Sequence, residues 1–245
     1  MLFPSDAFPA DLPLGAYDVV IPCYDRAHVV ADAVESVLAQ DPAPARVVVV
    51  DDGSRDDSAR VIRALAAARP GRVQAAILPR NGGASNARNV GVTLCASPWI
   101  AFLDSDDVWL PGAARALLSG ARTSGADIVV GHFARVEAGA APGAPECGWD
   151  GGCIREGLMS GGVIGPSWSI VRRESVVAVG GFDPSFHNCN DWDFYTRAAA
   201  AGATFARIDA VVAQYRTVAG SRLVNDHHQG MANARRVLAH PYLMA

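Results

Sequence analysis

The first hundred residues alternate short β-branched runs with longer segments of helical apolar spacing, and this alternation limits the possible folds more than any other feature. The run RVVVVDD at 46–52 is the clearest predicted strand, since a continuous β-branched run is typical of a strand buried on both faces. Further strands are predicted at 17–22, 72–78 and 98–104, and helices at 28–40, 56–70 and 84–96. Strands spaced by helices indicate βαβ units and a parallel sheet.

The second half of the chain has a less regular pattern. The segments 138–152 and 159–168 are rich in glycine and other small residues, and we expect loops there. The remaining elements that the pattern predicts are a strand at 168–173, a helix at 191–201, a strand at 203–216 and a tail helix at 226–238. A length of 245 residues suits one large α/β domain or two small ones.

Composition excludes several classes of protein. The formal net charge is −4 and no basic stripe is present, which argues against a nucleic-acid partner. No apolar stretch is long enough for a transmembrane segment, and the N-terminal residues lack the basic region of a signal peptide. The five cysteines are scattered without a CxxC pair, so neither a zinc site nor a disulfide framework is predicted. We therefore expect a reduced, cytoplasmic protein, with peripheral contact at the inner face of a membrane left open.

Polar clusters directly follow three of the predicted strands. They are CYDR at 23–26, DDGSRDD at 51–57 and DSDD at 104–107. Parallel sheets bind ligands beyond the carboxyl ends of their strands, so we expect these clusters to share one rim. Grouped carboxylates repel one another unless a cation joins them, and Mg²⁺ or Mn²⁺ held together with phosphate oxygens is the usual solution. The alternative is that the acids form a solvated strand end followed by a helix cap.

Glycine patterns exclude two nucleotide-binding classes. The chain has no G-x-x-x-x-G-K-[ST] motif, and no G-x-G-x-x-G follows the first strand. The segment RNGGASNARN at 80–89 places two glycines before a predicted helix. Its backbone N–H groups could face an anion, and the alternative is an ordinary β-to-α turn.

Taken in order, the motifs VVIPCYDR, VVVVDDGSRDDS, NGGASNARNVGV, IAFLDSDDVW and NDWDFYTR cover roughly residues 17–220. This ordered set resembles the family 2 glycosyltransferases. The resemblance implies an α/β protein of the GT-A fold, with a Rossmann-like, mostly parallel central sheet flanked by helices and a less regular acceptor-binding second half. It also implies a single domain over 1–245. In that domain 17–110 would bind the nucleotide sugar, 111–225 would bind the acceptor, and 226–245 would form a C-terminal tail.

The resemblance also implies roles for the rim residues. Pro22, Cys23 and Tyr24 would line the nucleotide base, and Asp52 would accept a hydrogen bond from a uracil imide. Asp104 and Ser105 would contact the donor, Asp106 would hold the metal on its diphosphate, and Arg88 would reach toward the acids or the phosphates. For Arg88 the alternative is a salt bridge on a helix face.

An acceptor hydroxyl must lose its proton as it attacks the anomeric carbon, and a carboxylate is the expected general base. In NDWDFYTR the resemblance places Asp191 at the base position, with Asp193 as the second choice. The alternative for Asp191 is a helix cap.

Two positions depart from the family pattern. Asn190 stands where the family often has Glu. Val218 stands where it often has a histidine that helps hold the metal or the diphosphate. His227 and His228 could substitute for that histidine, or they are surface residues of the tail helix.

We therefore expect an inverting glycosyltransferase that moves a sugar from a nucleotide-diphosphate sugar, UDP by preference, to a hydroxyl on a glycan, a small molecule or a lipid-linked sugar. The expected cofactor is Mn²⁺ or Mg²⁺. One alternative is a sugar nucleotidyltransferase, although CYDRAH lacks the glycine-rich basic signature of that class. The other is a catalytically impaired GT-A domain acting as a binding module.

Overall fold

The computed structural model describes residues 16–137, 140–161, 164–217 and 227–245. Its strands are β1 (Tyr17–Cys23), β2 (Arg46–Asp51), β3 (Val73–Ile77), β4 (Trp99–Phe102), β5 (Val108–Trp109), β6 (Ile128–Glu137), β7 (Pro145–Glu146), β8 (Ser169–Arg172) and β9 (Phe205–Thr217). Its α-helices are α1 (Val30–Leu38), α2 (Ser58–Ala68), α3 (Ala84–Thr93), α4 (Ala113–Ser124), α5 (Ile154–Met159), α6 (Arg173–Ala178), α7 (Asn190–Ala200), α8 (His227–Leu238) and α9 (Pro241–Met244). A 3₁₀ turn spans Pro166–Trp168.

The strands form one sheet in the order β3-β2-β1-β4-β8-β6-β9-β5, with β7 on β6. Strand β1 lies parallel to β2 and β4, and β2 lies parallel to β3. Strand β8 is antiparallel to both of its neighbours, β4 and β6, and β9 is parallel to β6. Strands β1, β2, β3, β4, β6 and β9 therefore run in one direction, and the sheet is mostly parallel.

The central strands owe their position to their apolar sequences. All seven residues of β1 are buried, as are five of the six in β2, which explains why neither strand alternates between apolar and polar residues. Three aromatic rings continue this core toward the C-terminal half. Phe182 meets Phe102 edge-on at a centroid distance of 5.0 Å and stacks on Phe194 at 4.4 Å. Phe182 therefore packs between Phe102 of β4 and Phe194 of α7, and it holds α7 close to β4.

The predicted elements of the first half occur with ends within four residues of those expected. The expected strand at 168–173 occurs as β8, and the helix expected at 191–201 is α7, which begins at Asn190. The expected tail helix is described over His227–Leu238, and Asp226 and Val218 lie outside the described residues. The pattern gave no indication of α4 or β6, or of the two-residue strands β5 and β7. Among the helices in the described ranges, none combines the length and the apolar character needed to cross a membrane.

Candidate active site

The polar clusters after β1 and β2 are joined by hydrogen bonds. The backbone N–H of Asp25 donates to Ser54 Oγ at 3.0 Å, and the N–H of Arg55 donates to Asp25 Oδ1 at 2.7 Å. The N–H of Arg26 donates to Ser58 Oγ at 2.9 Å. The ends of these two neighbouring parallel strands therefore form one continuous polar edge.

The third cluster, after β4, joins this edge through an arginine. Arg26 Nε donates to Asp106 Oδ2 at 3.2 Å. Burial raises the pKa of Asp106, the charge of Asp104 raises it further, and the Arg26 guanidinium lowers it. Part of the repulsion among the clustered carboxylates is thus relieved within the protein.

A second arginine, Arg88 on α3, links the β4 end to α7. Its Nη2 donates to Asp104 Oδ1 at 2.6 Å, and its Nη1 donates to Asn190 Oδ1 at 2.9 Å. The residue is only 4 % exposed, and its guanidinium lies over the Phe182 ring at 5.1 Å from the centroid. Asn190 is itself buried, so the neutral residue at this position keeps the acceptor that Arg88 needs.

Asp107, the third acid of DSDD, is buried and bonded to other parts of the chain. It accepts hydrogen bonds from Ser167 Oγ and from the backbone N–H of Arg216. Burial and the charge of Asp104 raise the pKa of Asp107 well above its usual value. Ser167 also accepts from the N–H of Asp104 at 3.2 Å, so it fastens the acidic turn to the 3₁₀ turn.

The first two acids of this turn, Asp104 and Asp106, are the candidate metal ligands. One oxygen of Asp104 and one of Asp106 accept hydrogen bonds from arginines, and the second oxygen of each carboxylate accepts none from any other described residue. Mg²⁺ and Mn²⁺ are commonly held by one or two carboxylates together with water and phosphate oxygens, so the residues fit such an ion. Within the described residues, no group of three His, Cys, Asp or Glu side chains could hold a metal alone. A bound ion would take its remaining ligands from water or from phosphate oxygens.

Asp52 lies at the end of β2 and faces the loop after β3. Its carboxylate accepts from the N–H groups of Gly82 and Gly83 at 2.9 and 2.7 Å. Burial raises the pKa of Asp52, and these two N–H groups partly offset that rise. The glycines before α3 thus donate to a carboxylate of the protein.

The residues expected to line a nucleotide base lie at the end of β1 and beyond it. Pro22 and Cys23 are buried, and Tyr24, the first residue after the strand, is partly exposed. Burial raises the pKa of the Cys23 thiol to about 12, so this thiol is protonated and uncharged at neutral pH. Ser105 is buried within the acidic turn.

The two carboxylates in the first turn of α7 have different partners. Asp191 accepts from the N–H of Trp192 at 2.8 Å, and the N-cap position is held by Cys189. Burial raises the pKa of Asp191, the charge of Asp104 also raises it, and the charge of Arg88 lowers it. Asp193 is buried in an ion pair with Arg197 at 2.7 Å, one turn further along the helix.

Two residues of the site were not among the predicted site residues. Arg26 stands in the CYDR motif, but the sequence could not show that its side chain reaches the acid turn 80 residues away. Ser167 lies in a segment that the sequence predicts only as a loop, and no signal there indicates its contacts. Both contacts depend on how distant segments meet in the fold.

A mostly parallel α/β sheet whose strand ends carry clustered acids, with α7 linked to those acids through Arg88, is consistent with a glycosyltransferase of the GT-A fold. The chain belongs to the family "Glycosyl transferase family 2", whose model matches residues 18–176. The expected fold and the expected enzyme class are therefore confirmed. The family match ends before α7, so it does not include Asp191.

Relatives with related names come from Rhizobium meliloti (strain 1021). The succinoglycan biosynthesis protein ExoU is 32 % identical over 240 residues, which cover 90 % of this chain and 69 % of ExoU. The succinoglycan biosynthesis protein ExoO is 42 % identical over 115 residues, which cover 46 % of this chain and 32 % of ExoO.

Solved structures show the same fold. The crystal structure of S. aureus TarS 1-349 in complex with UDP-GlcNAc has a TM-score of 0.73 at 19 % identity, covering 86 % of this chain and 61 % of that one. TarS 1-349 in complex with UDP gives 0.69 at 19 % identity, covering 82 % and 60 %. The chain thus spans about three fifths of these TarS chains.

Proposed function

We propose that this glycosyltransferase inverts the anomeric centre and moves a sugar from a UDP-sugar to a hydroxyl group, with metal assistance and with Asp191 as the general base. The observation that carries the proposal is the contact of Arg88 with both Asp104 and Asn190. It joins the acid turn expected to hold the donor to the helix expected to hold the base. Donor and acceptor chemistry would then meet at one edge of the sheet.

The nucleotide would bind over the ends of β1 and β2. Pro22, Cys23 and Tyr24 would line the base, and each oxygen of Asp52 keeps a further lone pair that could accept from a uracil imide. The solved complexes of TarS with UDP and UDP-GlcNAc support uridine as the nucleoside. Asp104 and Ser105 would contact the ribose side of the donor.

The leaving group is a nucleoside diphosphate, and negative charge grows on its oxygens as the bond to the sugar breaks. Asp106 would hold Mn²⁺ or Mg²⁺, which supplies Lewis-acid stabilisation of that charge when bound. Arg88 would keep Asp104 in position through its hydrogen bond at 2.6 Å. Its buried charge also makes the rim less negative toward an incoming phosphate.

Asp191 would accept the proton of the acceptor hydroxyl while that oxygen forms a bond to the anomeric carbon. The bond from that carbon to the diphosphate oxygen breaks in the same step, and the electron pair leaves with the phosphate. This single displacement needs no enzyme nucleophile, and it inverts the configuration. The raised pKa of Asp191 makes it a stronger base than an exposed aspartate, provided that it is ionised at the working pH.

The acceptor would bind against residues 111–225, beside the nucleotide-sugar-binding part at 17–110. The names of ExoU and ExoO, which place those proteins in succinoglycan biosynthesis, support a saccharide hydroxyl as the acceptor. A single domain with its tail at 226–245 and a cytoplasmic location are predictions that stand on the sequence.

A donor screen tests the proposal. Binding and hydrolysis of UDP-, dTDP- and GDP-sugars should be measured by calorimetry and product analysis, with Mn²⁺, with Mg²⁺ and with EDTA. We expect UDP-sugars to bind best and GDP-sugars least, because Asp52 suits the imide of a pyrimidine, and we expect EDTA to abolish hydrolysis. Tighter binding of GDP-sugars, or hydrolysis unchanged by EDTA, would contradict the proposal.

A further inference from the structure

Arg26 is a charged rim residue that the chemistry described above leaves without a role. Its Nε donates to Asp106 Oδ2 at 3.2 Å, and the two side chains are 17 % and 20 % exposed. Water therefore screens their attraction less than it screens a fully exposed pair. In the donor-free protein, Arg26 supplies the positive charge that Asp106 would otherwise receive from a metal ion.

The chain around Arg26 holds its backbone and leaves part of its guanidinium without a partner. Asp25 has a left-handed backbone with a φ of 50°, and the N–H of Arg26 is fixed on Ser58 Oγ. Nη1 donates to the Asp25 carbonyl at 3.1 Å. The third nitrogen, Nη2, donates to no acceptor in the described ranges. The guanidinium can therefore change partners while the backbone stays in place.

A divalent cation and a guanidinium compete for the same carboxylate, because each disfavours the other by charge repulsion. The diphosphate of a nucleotide sugar offers a second anionic partner, and arginine binds phosphate oxygens through charge-assisted hydrogen bonds. We propose that Arg26 neutralises Asp106 in the donor-free protein and moves onto a diphosphate oxygen of the donor when a divalent cation takes its place. This inference rests on the metal-binding role of Asp106 in the proposed function.

Two binding measurements without turnover test this exchange. In Arg26→Gln, Mn²⁺ alone should bind about 3- to 10-fold more tightly, because its competitor is gone. UDP at saturating Mn²⁺ should bind about 10-fold or more weakly, because a charge-assisted hydrogen bond to the diphosphate is lost. Free Mn²⁺ is followed by electron paramagnetic resonance and UDP binding by calorimetry.

Arg69→Gln is the matched control. Arg69 forms an exposed ion pair with Glu35, so its replacement removes the same charge from the protein without touching the rim. We expect both affinities to stay at the wild-type value. Arg26→Lys keeps the charge and loses the planar group, so Mn²⁺ should bind as in the wild type while UDP binds more weakly.

The opposite signs of the two changes distinguish exchange from a structural role, which would weaken both affinities together. Weaker or unchanged Mn²⁺ binding in folded Arg26→Gln overturns the inference. If circular dichroism shows that Arg26→Gln is not folded, Arg26→Lys is used instead, and an unchanged UDP affinity of Arg26→Lys overturns the inference.

Asp106→Asn separates the two proposals. If this variant binds Mn²⁺ as well as the wild type does, the metal role of Asp106 fails and the exchange fails with it. If it loses Mn²⁺ while Arg26→Gln behaves as the wild type, only the exchange is overturned.

Discussion

Asp191 and Asp193 lie two positions apart on α7, yet their carboxylates have different hydrogen-bond partners. The carboxylate of Asp193 is already engaged with Arg197 at 2.7 Å. Asp191 instead accepts a hydrogen bond from the backbone N–H of Trp192. Its pKa is lowered by the charge of Arg88 and raised by the charge of Asp104. A helix turns about 100° per residue, so the two side chains leave the helix in well-separated directions.

Replacing each acid by its amide tests this division of roles. Asp191→Asn should lower the rate of transfer by about two to four orders of magnitude, because the amide cannot accept the proton. Donor affinity should stay near the wild-type value. Asp193→Asn should keep most of the rate and lose about 1–3 kcal/mol of stability, because Arg197 loses its charged partner. Rates at saturating acceptor and urea unfolding measure the two effects, and the reverse pattern would make Asp193 the base.

The charge of Arg88 predicts a change in the pH profile. The base must be ionised, so the transfer rate should fall as the pH drops through the raised pKa of Asp191. Arg88 lowers that pKa and Asp104 raises it, so Arg88→Gln should move the acid limb of the profile to higher pH. Arg88→Lys keeps the charge and should leave the limb close to its wild-type position. The profile is measured at saturating donor. If Arg88→Gln leaves the acid limb of the profile unchanged, the limb does not arise from the ionisation of Asp191.

Among the candidate site residues, the acids and Arg88 were predicted from the sequence motifs, whereas Arg26 and Ser167 were not. Asp52, Asp104 and Asp106 follow recognisable strands, and the carboxyl ends of parallel strands share one edge. Whether Arg26 pairs with Asp106 depends on side-chain reach across the rim, which no local pattern encodes. The same holds for Ser167, whose bonds to the acid turn arise from a loop far along the chain.

At the level of elements, the loop after β2 and the loop after β3 approach each other closely at Gly53. This glycine has a φ of +69°, and a Cβ there would stand 2.5 Å from the carbonyl carbon of Arg80. The same two loops carry Asp52 and the N–H groups of Gly82 and Gly83 that it binds. A side chain at Gly53 would therefore push apart the loops that form this contact.

Gly53→Ala and Gly71→Ala form a matched pair. Gly71 has a similar φ of +77° but nothing within 4 Å of its would-be Cβ. Gly71→Ala should cost about 1–2 kcal/mol, which is the strain of a left-handed backbone alone. Gly53→Ala should cost clearly more in urea unfolding, and it should also weaken UDP binding. Equal losses of stability in the two variants would show that the close approach of the loops is unimportant.

The sequence predicts the alternating strands and helices of residues 17–104 well and misses several elements after them, and for the shortest of these there is a physical reason. Runs such as RVVVVDD lie in a uniformly buried environment, so their composition alone identifies the strand. Strands β5 and β7, which the pattern did not indicate, have only two residues each. Strands this short are fixed by partners distant in the chain, and their own residues carry too little pattern to reveal them.

For the whole molecule, the sheet brings the ends of β1, β2 and β4 to one edge, and the packing of Phe182 against Phe102 and Phe194 adds α7 to it. The acids proposed to bind the donor and the proposed base thus come from opposite halves of one chain. Under the proposed function, this rim supplies one carboxylate as a base and does not require an enzyme nucleophile. The complete reaction should therefore proceed by a single displacement.

The stereochemistry of the product tests this account most directly. The donor found in the screen is incubated with its acceptor, and the coupling constant of the anomeric proton in the new glycoside is read by nuclear magnetic resonance. The account predicts that an α-linked donor sugar gives a β-linked product, with no covalent sugar–enzyme species detected by mass spectrometry. A product that retains the donor's configuration would contradict the single displacement and the role of Asp191 within it.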